Sequence, residues 1–159
     1  MNETPTLFLD FDGPLHSAEI QAINRHGEFI PHPALFAGIP ILDELLKPFP
    51  GLQILVSSDW RLVVDDDTLK QLLGLLSTRF SGVMEVTIPS RADAIKEEAR
   101  RRRLSKWLAI DDHSTVAKAG KTDARFVVCD PIIGIASPDV QQELVQKIRT
   151  LFDTEQARG

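Results

Sequence analysis

Five short apolar runs recur along the chain. They cover residues 6–11, 53–57, 83–88, 107–110 and 125–129. The third run is the weakest, because Glu85 and Thr87 interrupt it. Short runs that are nearly continuous in apolar residues are typical of strands buried on both faces of a parallel sheet. The pattern therefore predicts five strands.

Helix signals fill most of the sequence between these runs. Apolar residues that recur every three or four positions, together with capping residues, predict helices over 39–47, 66–80, 91–103 and 138–152. Ser90 is suited to cap the third of these helices at its N-terminus. Strands that alternate with helices predict an α/β fold, namely a three-layer α/β/α, Rossmann-like parallel sheet of about five strands.

The length of 159 residues, with 43% hydrophobic residues, predicts a single domain over 1–159 with a core over about 6–152. Residues 14–38 hold three of the four histidines and show no helical stripe, so we expect a loop or flap insert there. Residues 153–159 are predicted to form a polar tail. Because the insert is shorter than an independent domain, we expect an open site without a cap domain.

The net charge of −5 argues against a broad nucleic-acid-binding face, because neutralising phosphates needs an excess of Lys and Arg. It leaves room for a local basic patch. The single cysteine, Cys129, excludes an intrachain disulfide and suits a reducing compartment. We find no signal-peptide pattern and no apolar run long enough to cross a bilayer, so we expect a cytoplasmic protein with no membrane contact.

Acidic residues follow two of the predicted strands. Asp10 and Asp12 come after the first run, and Asp111 and Asp112 come after the fourth. Loop acids that only form turns are the alternative, but the carboxyl ends of parallel strands gather at one edge of the sheet, where ligands bind. Four carboxylates at that edge would form an oxygen-rich cluster, which suits Mg²⁺ better than zinc.

Hydroxyl and cationic side chains are expected near the same edge. Ser57 follows the second run and could donate a hydrogen bond to a phosphoryl oxygen, or could be an ordinary turn residue. Arg61 could clamp a phosphate or form an ion pair. Arg91 at a helix N-terminus opposes the helix dipole, which a bound anion would explain, although a solvated side chain is an equal alternative. Lys96 is the competing cation, one turn further along.

The sequence Asp10-Phe11-Asp12-Gly13-Pro14-Leu15 resembles the DxDGxL motif of haloacid dehalogenase (HAD) phosphohydrolases. Ser57 resembles the second motif of that family, and the pair Asp111-Asp112 resembles its fourth. The segment Ser57-Ser58-Asp59-Trp60-Arg61, Arg91 and the acid pair resemble more narrowly the HAD domains of bacterial RNA-repair proteins. Two departures from the family pattern are Pro14 in place of Thr or Val, and Arg91, or Lys96, where the third motif normally has a lysine.

The resemblance implies a phosphohydrolase that forms an aspartyl-phosphate at Asp10, with Asp12 as the general acid and base. It implies that Ser57 and either Arg91 or Lys96 orient the phosphoryl oxygens. Further substrate-binding residues are expected at Gly13, Ser58 and Arg61. The implied Mg²⁺ ligands are Asp10, the backbone carbonyl of Asp12 and Asp112, with Asp111 as a direct or water-mediated ligand.

An open site predicts a phosphate on a bulky carrier, such as a nucleic-acid end or a nucleotide. Arg61 and the arginine run 100–103 could then provide a local track for an anionic chain. Two alternatives are a non-catalytic module that binds a phosphorylated ligand, and a small-metabolite phosphatase capped by a second subunit. A receiver domain is disfavoured because no acid follows the third run, and a glycosyltransferase is disfavoured by the short chain. The pattern does not predict the oligomeric state.

Overall fold

The computed structural model describes the backbone of residues 2–158 and the side chains of residues 2–153. In chain order the strands and α-helices are β1 (Thr6–Leu9), α1 (Ile39–Leu46), β2 (Gln53–Val56), α2 (Asp66–Leu72), β3 (Phe80–Val83), α3 (Arg91–Arg101), β4 (Trp107–Asp111), α4 (Ser114–Ala119), β5 (Phe126–Val128) and α5 (Pro138–Arg158). Short 3₁₀ helices cover Asp59–Leu62, Gly74–Arg79 and Gly134–Ala136.

The five strands form one parallel sheet in the order β3-β2-β1-β4-β5. β1 lies in the centre, where Leu9 pairs with Val56 of β2 and with Ile110 of β4. The predicted Rossmann-like α/β fold is confirmed. This register brings the residues that follow β1 and β2 and the end of β4 to the same edge of the sheet.

Helices cover both faces of the sheet, because alternate strand residues point to opposite sides. On one face, Leu7, Leu9, Ile54 and Val56 pack with buried residues of α1, α2 and α5. On the other face, Phe8 and Leu55 pack with buried residues of α3 and α4. The chain thus has the three layers that the alternating pattern predicted.

The predicted third strand over 83–88 is wrong, since β3 covers Phe80–Val83. The predicted helix over 66–80 ends early: α2 stops at Leu72, and Gly74, with a φ of 53°, begins a 3₁₀ helix. The N–H groups of Glu85 and Val86 donate to the carboxylate of Glu98, at 2.7 and 2.9 Å, instead of to a strand.

The segment over 14–38, all of which the structure describes, consists of turns and isolated β-bridges. It contains no α-helix and no strand of several residues. The N–H of Ala18 donates to the carbonyl of Pro131, which ties the segment to the loop after β5. The N–H of Gly38 donates to the carbonyl of Leu15, which holds the two ends of the segment together. At the other end of the chain, the predicted polar tail 153–159 continues as helix to Arg158, and its last residue, Gly159, lies outside the described residues.

Among the helices that the structure describes, none combines the length and the apolar character needed to cross a membrane.

Candidate active site

Three carboxylates meet at the carboxyl edge of the sheet. Asp10 follows β1, Asp111 ends β4 and Asp112 comes next, and one oxygen of each lies within 4.8 Å of the others. Asp10 is 5% exposed and Asp111 is fully buried. Burial raises the pKa of Asp10 well above its usual range, and the charge of Asp111 raises it further. Burial also raises the pKa of Asp112. Such a cluster favours a bound cation.

Arg91, the first residue of α3, lies against this cluster. Its Nη1 is 2.9 Å from Asp111 Oδ2 and 3.5 Å from Asp10 Oδ1, and its Nη2 is 3.0 Å from Asp59 Oδ1. The competing cation, Lys96, is exposed, and its Nζ lies 5.8 Å from the centre of the Phe126 ring. The structure therefore places Arg91, and not Lys96, beside the acids.

The Asp12 carboxylate is held at both of its oxygens. Trp60 Nε1 donates to Oδ2 at 3.1 Å, and His16 Nε2 lies 2.8 Å from Oδ1. His16 Nδ1 accepts the N–H of Phe36 at 3.3 Å, so the hydrogen of a neutral ring is on Nε2 and points at Asp12. The His16 side chain is buried, whereas that of Asp12 is 42% exposed. Asp12 is thus fixed in direction but open to solvent.

The two serines after β2 differ in their partners. The Ser57 hydroxyl is buried and has no hydrogen-bond partner within the described part of the chain. Ser58 Oγ accepts the N–H of Trp60 at 3.2 Å and caps the 3₁₀ helix Asp59–Leu62. An unpaired buried hydroxyl costs free energy, about 1–3 kcal/mol, unless a ligand satisfies it. Ser57 is therefore the serine suited to meet a phosphoryl oxygen.

Arg61 does not have the arrangement of a substrate clamp. Its guanidinium donates to four backbone carbonyls: those of Ser57, Ser58, Met84 and Val86. The side chain is only 4% exposed. The expectation that Arg61 binds a substrate phosphate needs correction, because its donors join the loops that follow β2 and β3.

The arginine run 100–103 lies away from the site. It begins in the last turn of α3 and continues past its end, and α3 starts at the acids and rises along its eleven residues by roughly 15 Å. Arg100, Arg101 and Arg102 form ion pairs with Glu97, Glu85 and Glu98 respectively. The anionic track from Arg61 and this run stays a prediction, which these contacts do not favour: Arg61 donates to backbone carbonyls, and the run lies at the end of α3 that is remote from the acids.

Two glycines allow the loops at the site to approach each other. Gly13 has a φ of 103°, and a side chain there would collide with the carboxylate of Asp112. Gly134 has a φ of 55°, and a side chain there would collide with the carbonyl of Gly13. Gly13 thus shapes the acid cluster through its backbone.

From the sequence, no role of their own was assigned to His16, Asp59 and Trp60. The four-residue spacing of His16 from Asp12 was visible, but periodicity does not predict how an irregular segment folds back. Trp60 does pack, at ring distances of 5.8 and 5.2 Å from Phe11 and Phe36, while its Nε1 contacts Asp12.

Residues 6–140 match the family described as the HAD domain in Swiss Army Knife RNA repair proteins. A comparison with curated proteins found no match. The family match covers more than half of the chain. It includes β1 and the following Asp10, the 3₁₀ helix with Trp60, the start of α3 and the acid pair at the end of β4. The chain therefore belongs to the family of HAD domains found in Swiss Army Knife RNA repair proteins.

Proposed function

We propose that this protein is a Mg²⁺-dependent phosphohydrolase with Asp10 as its nucleophile. The observation that carries the proposal is the position of Asp10, which is buried at the central strand end, 3.5 Å from the guanidinium of Arg91 and next to two further carboxylates. An acid cluster with one cation and an unpaired hydroxyl is suited to hold both a metal ion and a phosphate. Membership of the HAD family supports a hydrolase.

The donor set fits Mg²⁺, which prefers carboxylate oxygens. Asp10, Asp111, Asp112 and the backbone carbonyl of Asp12 would hold it. The raised pKa values of Asp10 and Asp112, caused first by burial, indicate that the cluster disfavours its own negative charge. When bound, the ion offsets the repulsion between a carboxylate nucleophile and a phosphate.

Asp10 attacks phosphorus in line, and a bond forms between its carboxylate oxygen and phosphorus as the bond to the leaving oxygen breaks. Asp12 donates a proton to that leaving oxygen. In the second step Asp12 takes a proton from the water that attacks phosphorus, which releases Asp10 and inorganic phosphate. The hydrogen bonds from His16 and Trp60 keep the Asp12 carboxyl aimed at the site.

Arg91 and Ser57 would stabilise the transferred phosphoryl group. Phosphoryl transfer depends mainly on positioning and on compensating charge, and Arg91 supplies charge while Ser57 supplies an unused hydroxyl. In this proposal Arg91 fills the third-motif role, and Lys96 does not take part.

The proposed substrate is a phosphate on a bulky carrier, either a nucleic-acid end or a nucleotide. The family, whose description names RNA repair proteins, supports this class. The short insert leaves Asp12 partly exposed, which also suits a large carrier. The alternative is a small-metabolite phosphatase in which a second subunit would cover this open side of the site.

A turnover screen tests the proposal. It compares 4-nitrophenyl phosphate with oligonucleotides that carry a 3′- or a 5′-phosphate, each with Mg²⁺ and with excess chelator, and uses Asp10→Asn as the control. We expect Mg²⁺-dependent release of phosphate that the variant does not catalyse. Equal activity in chelator would contradict the metal role, and binding without turnover would favour the non-catalytic alternative.

A further inference from the structure

Asp59 joins the two arginines that lie nearest to the candidate site. It is the first residue of the 3₁₀ helix that follows β2, and its Oδ1 lies 3.0 Å from Arg91 Nη2 and 3.2 Å from Arg61 Nη1. Among the described residues, Asp59 does not belong to the cluster of three carboxylates. It is therefore a contact of Arg91 that the proposed reaction steps leave unused.

Arg61 gives Asp59 a fixed partner. The guanidinium of Arg61 donates to four backbone carbonyls in the loops that follow β2 and β3, and its side chain is only 4% exposed. Burial lowers the pKa of Arg61, and the charge of Arg91 lowers it further. Two guanidiniums that repel each other are stabilised by an anion between them, and Asp59 provides that anion.

Arg91 is held at both of its terminal nitrogens. Nη1 lies 2.9 Å from Asp111 Oδ2 and 3.5 Å from Asp10 Oδ1, whereas Nη2 contacts Asp59. A guanidinium is planar and its donors point in fixed directions, so contacts at two nitrogens also fix the direction of the remaining N–H groups. A lysine ammonium has one nitrogen with donors that rotate freely, and it would not need the second contact.

The contact with Asp59 is the one that metal binding does not share. Asp10 and Asp111 are proposed ligands of Mg²⁺, and their negative charge would then be divided between the ion and Arg91. Asp59 lies outside the cluster, so its charge remains available to the guanidinium. Asp59 is thus the carboxylate suited to keep Arg91 in place during the reaction.

We propose that Asp59 is a positioning residue, which keeps the guanidinium of Arg91 aimed at the transferred phosphoryl group and is itself anchored by Arg61. This inference rests on the proposed phosphohydrolase activity. It gives the 3₁₀ helix after β2 a function, namely to join the loop that carries Ser57 to the first residue of α3.

Asp59→Ala tests the proposal, because it removes the contact and keeps the cation. With 4-nitrophenyl phosphate and Mg²⁺ we expect kcat/KM to fall by about tenfold to a hundredfold, the range that a misplaced group gives. If Asp59→Ala does not fold, Asp59→Asn, which removes only the charge, replaces it. Equal kcat/KM in the variant and the wild-type protein, with turnover in both, would overturn the inference and leave the proposed function standing.

Glu85→Ala is the matched control. The Glu85 side chain is 66% exposed, close to the 70% of Asp59, and it also pairs with an arginine, Arg101, which lies away from the acids. Because exposed ion pairs contribute little, kcat/KM of this variant should stay within about twofold of the wild-type value. A loss equal to that of Asp59→Ala would show that the removal of any exposed acid has this effect, which contradicts the inference.

The Arg91→Lys background separates positioning from a structural role. This substitution keeps the positive charge but removes the planar group that Asp59 orients. Adding Asp59→Ala to Arg91→Lys should therefore change kcat/KM by less than about twofold, since the effect of one residue acts through the other. A further loss of tenfold in this background would show that Asp59 supports the fold and does not act through Arg91, which overturns the inference.

Binding of inorganic phosphate gives a readout without turnover, and it decides the question if Arg91→Lys is inactive. Calorimetry with Mg²⁺ should give a Kd for Asp59→Ala that is about fivefold or more above the wild-type value, as the loss of one well-directed hydrogen bond would cause. An unchanged or lower Kd overturns the inference, and a lower one would show that Asp59 competes with phosphate for Arg91. A wild-type protein that neither hydrolyses 4-nitrophenyl phosphate nor binds phosphate would overturn the proposed function as well.

Discussion

At the scale of single residues, the site separates four carboxylates into two environments. Asp10, Asp111 and Asp112 share one cluster with Arg91, whereas Asp12 is held by His16 and Trp60. A nucleophile and an acid with the same side chain can have different roles only if their surroundings differ. The hydrogen bonds to Asp12 provide that difference.

His16→Phe should impair the protonation of the leaving oxygen while keeping an aromatic ring against Phe36 and Trp60. We expect kcat/KM on an alkyl phosphate, a poor leaving group, to fall by about tenfold to a hundredfold, because a positioned acid contributes about 10²–10⁴ to the first step. On 2,4-dinitrophenyl phosphate, whose leaving oxygen needs no proton, kcat/KM should change by less than about threefold, because kcat/KM does not include the second step in which Asp12 acts as the base. Steady-state kinetics on both substrates measure the difference.

His26→Phe is the control for that experiment, since His26 is an exposed histidine of the same insert. It should leave both rates unchanged. A loss in His16→Phe that is equal on both substrates would point to a general structural role and contradict the positioning of Asp12.

Arg91→Ala and Lys96→Ala should behave differently. Arg91 contacts Asp111 at 2.9 Å, so its removal takes away the cation expected to face the phosphate and leaves buried acids unpaired. We expect kcat/KM to fall by about a hundredfold or more. Lys96→Ala should keep kcat/KM within about twofold. Comparable losses in the two variants would show that Arg91 does not fill the third-motif role.

At the scale of elements, the link between β3 and α3 departs most from the sequence pattern. Glu98 of α3 is buried, and it accepts hydrogen bonds from the N–H groups of Glu85 and Val86 and from Arg102. Although burial acts to raise the pKa of Glu98, these hydrogen bonds lower it below its usual range. The carboxylate of Glu98 thus accepts the backbone hydrogen bonds of Glu85 and Val86 that a neighbouring strand would otherwise accept.

Glu98→Gln should destabilise the fold, because it removes a buried acceptor of charge-assisted hydrogen bonds. We expect a loss of about 1–3 kcal/mol in the free energy of unfolding at neutral pH, measured by urea denaturation. Since the folded-state pKa of Glu98 is lowered, its contribution is present above the unfolded pKa and disappears as pH falls through the folded pKa. Glu97→Gln, on an exposed ion pair, is the control. Equal stability of Glu98→Gln and wild type at neutral pH would contradict this role.

Most of the strands and helices could be predicted from the sequence, because the spacing of apolar residues reflects which side chains are buried in the core. The strand over 83–88 was mispredicted because alternating residues such as Val86 resemble a strand, while the partner, Glu98, is distant in sequence. Helix α4 was missed because its six residues are too short for a periodic signal. The meeting of Asp10 with Asp111 followed from the rule for parallel strands, whereas the position of His16 depends on an irregular segment.

At the scale of the whole molecule, the acid cluster couples metal binding to folding. The folded state raises the pKa of Asp10 and of Asp112, chiefly by burial. An acid with a raised folded-state pKa binds more protons folded than unfolded, so stability falls as pH rises from its ordinary pKa through the raised value. A bound cation would offset this loss of folding stability, because it compensates the negative charge of the deprotonated acids.

Thermal unfolding should show that coupling. In chelator, Tm should fall as pH rises from about 4 to neutral, and saturating Mg²⁺ should restore it at neutral pH by about 2–4 °C for each kcal/mol of binding. Asp10→Asn should raise Tm in chelator by removing a disfavoured buried charge, and it should respond less to Mg²⁺. A Tm of the wild-type protein that is independent of Mg²⁺ at neutral pH would contradict the metal site.

A covalent phosphate on Asp10 should be trapped when the reaction is quenched in acid during turnover. Wild type and Asp12→Asn are mixed with 4-nitrophenyl phosphate and Mg²⁺, quenched in acid and mapped by mass spectrometry. We expect phosphate on Asp10, with more accumulating in Asp12→Asn because its second step lacks the base. Asp10→Asn should show no phosphate and no turnover. Full turnover without phosphate on Asp10 would contradict the aspartyl-phosphate mechanism. So would a tenth of the wild-type activity in Asp10→Asn, because that is a loss of only about 1.4 kcal/mol.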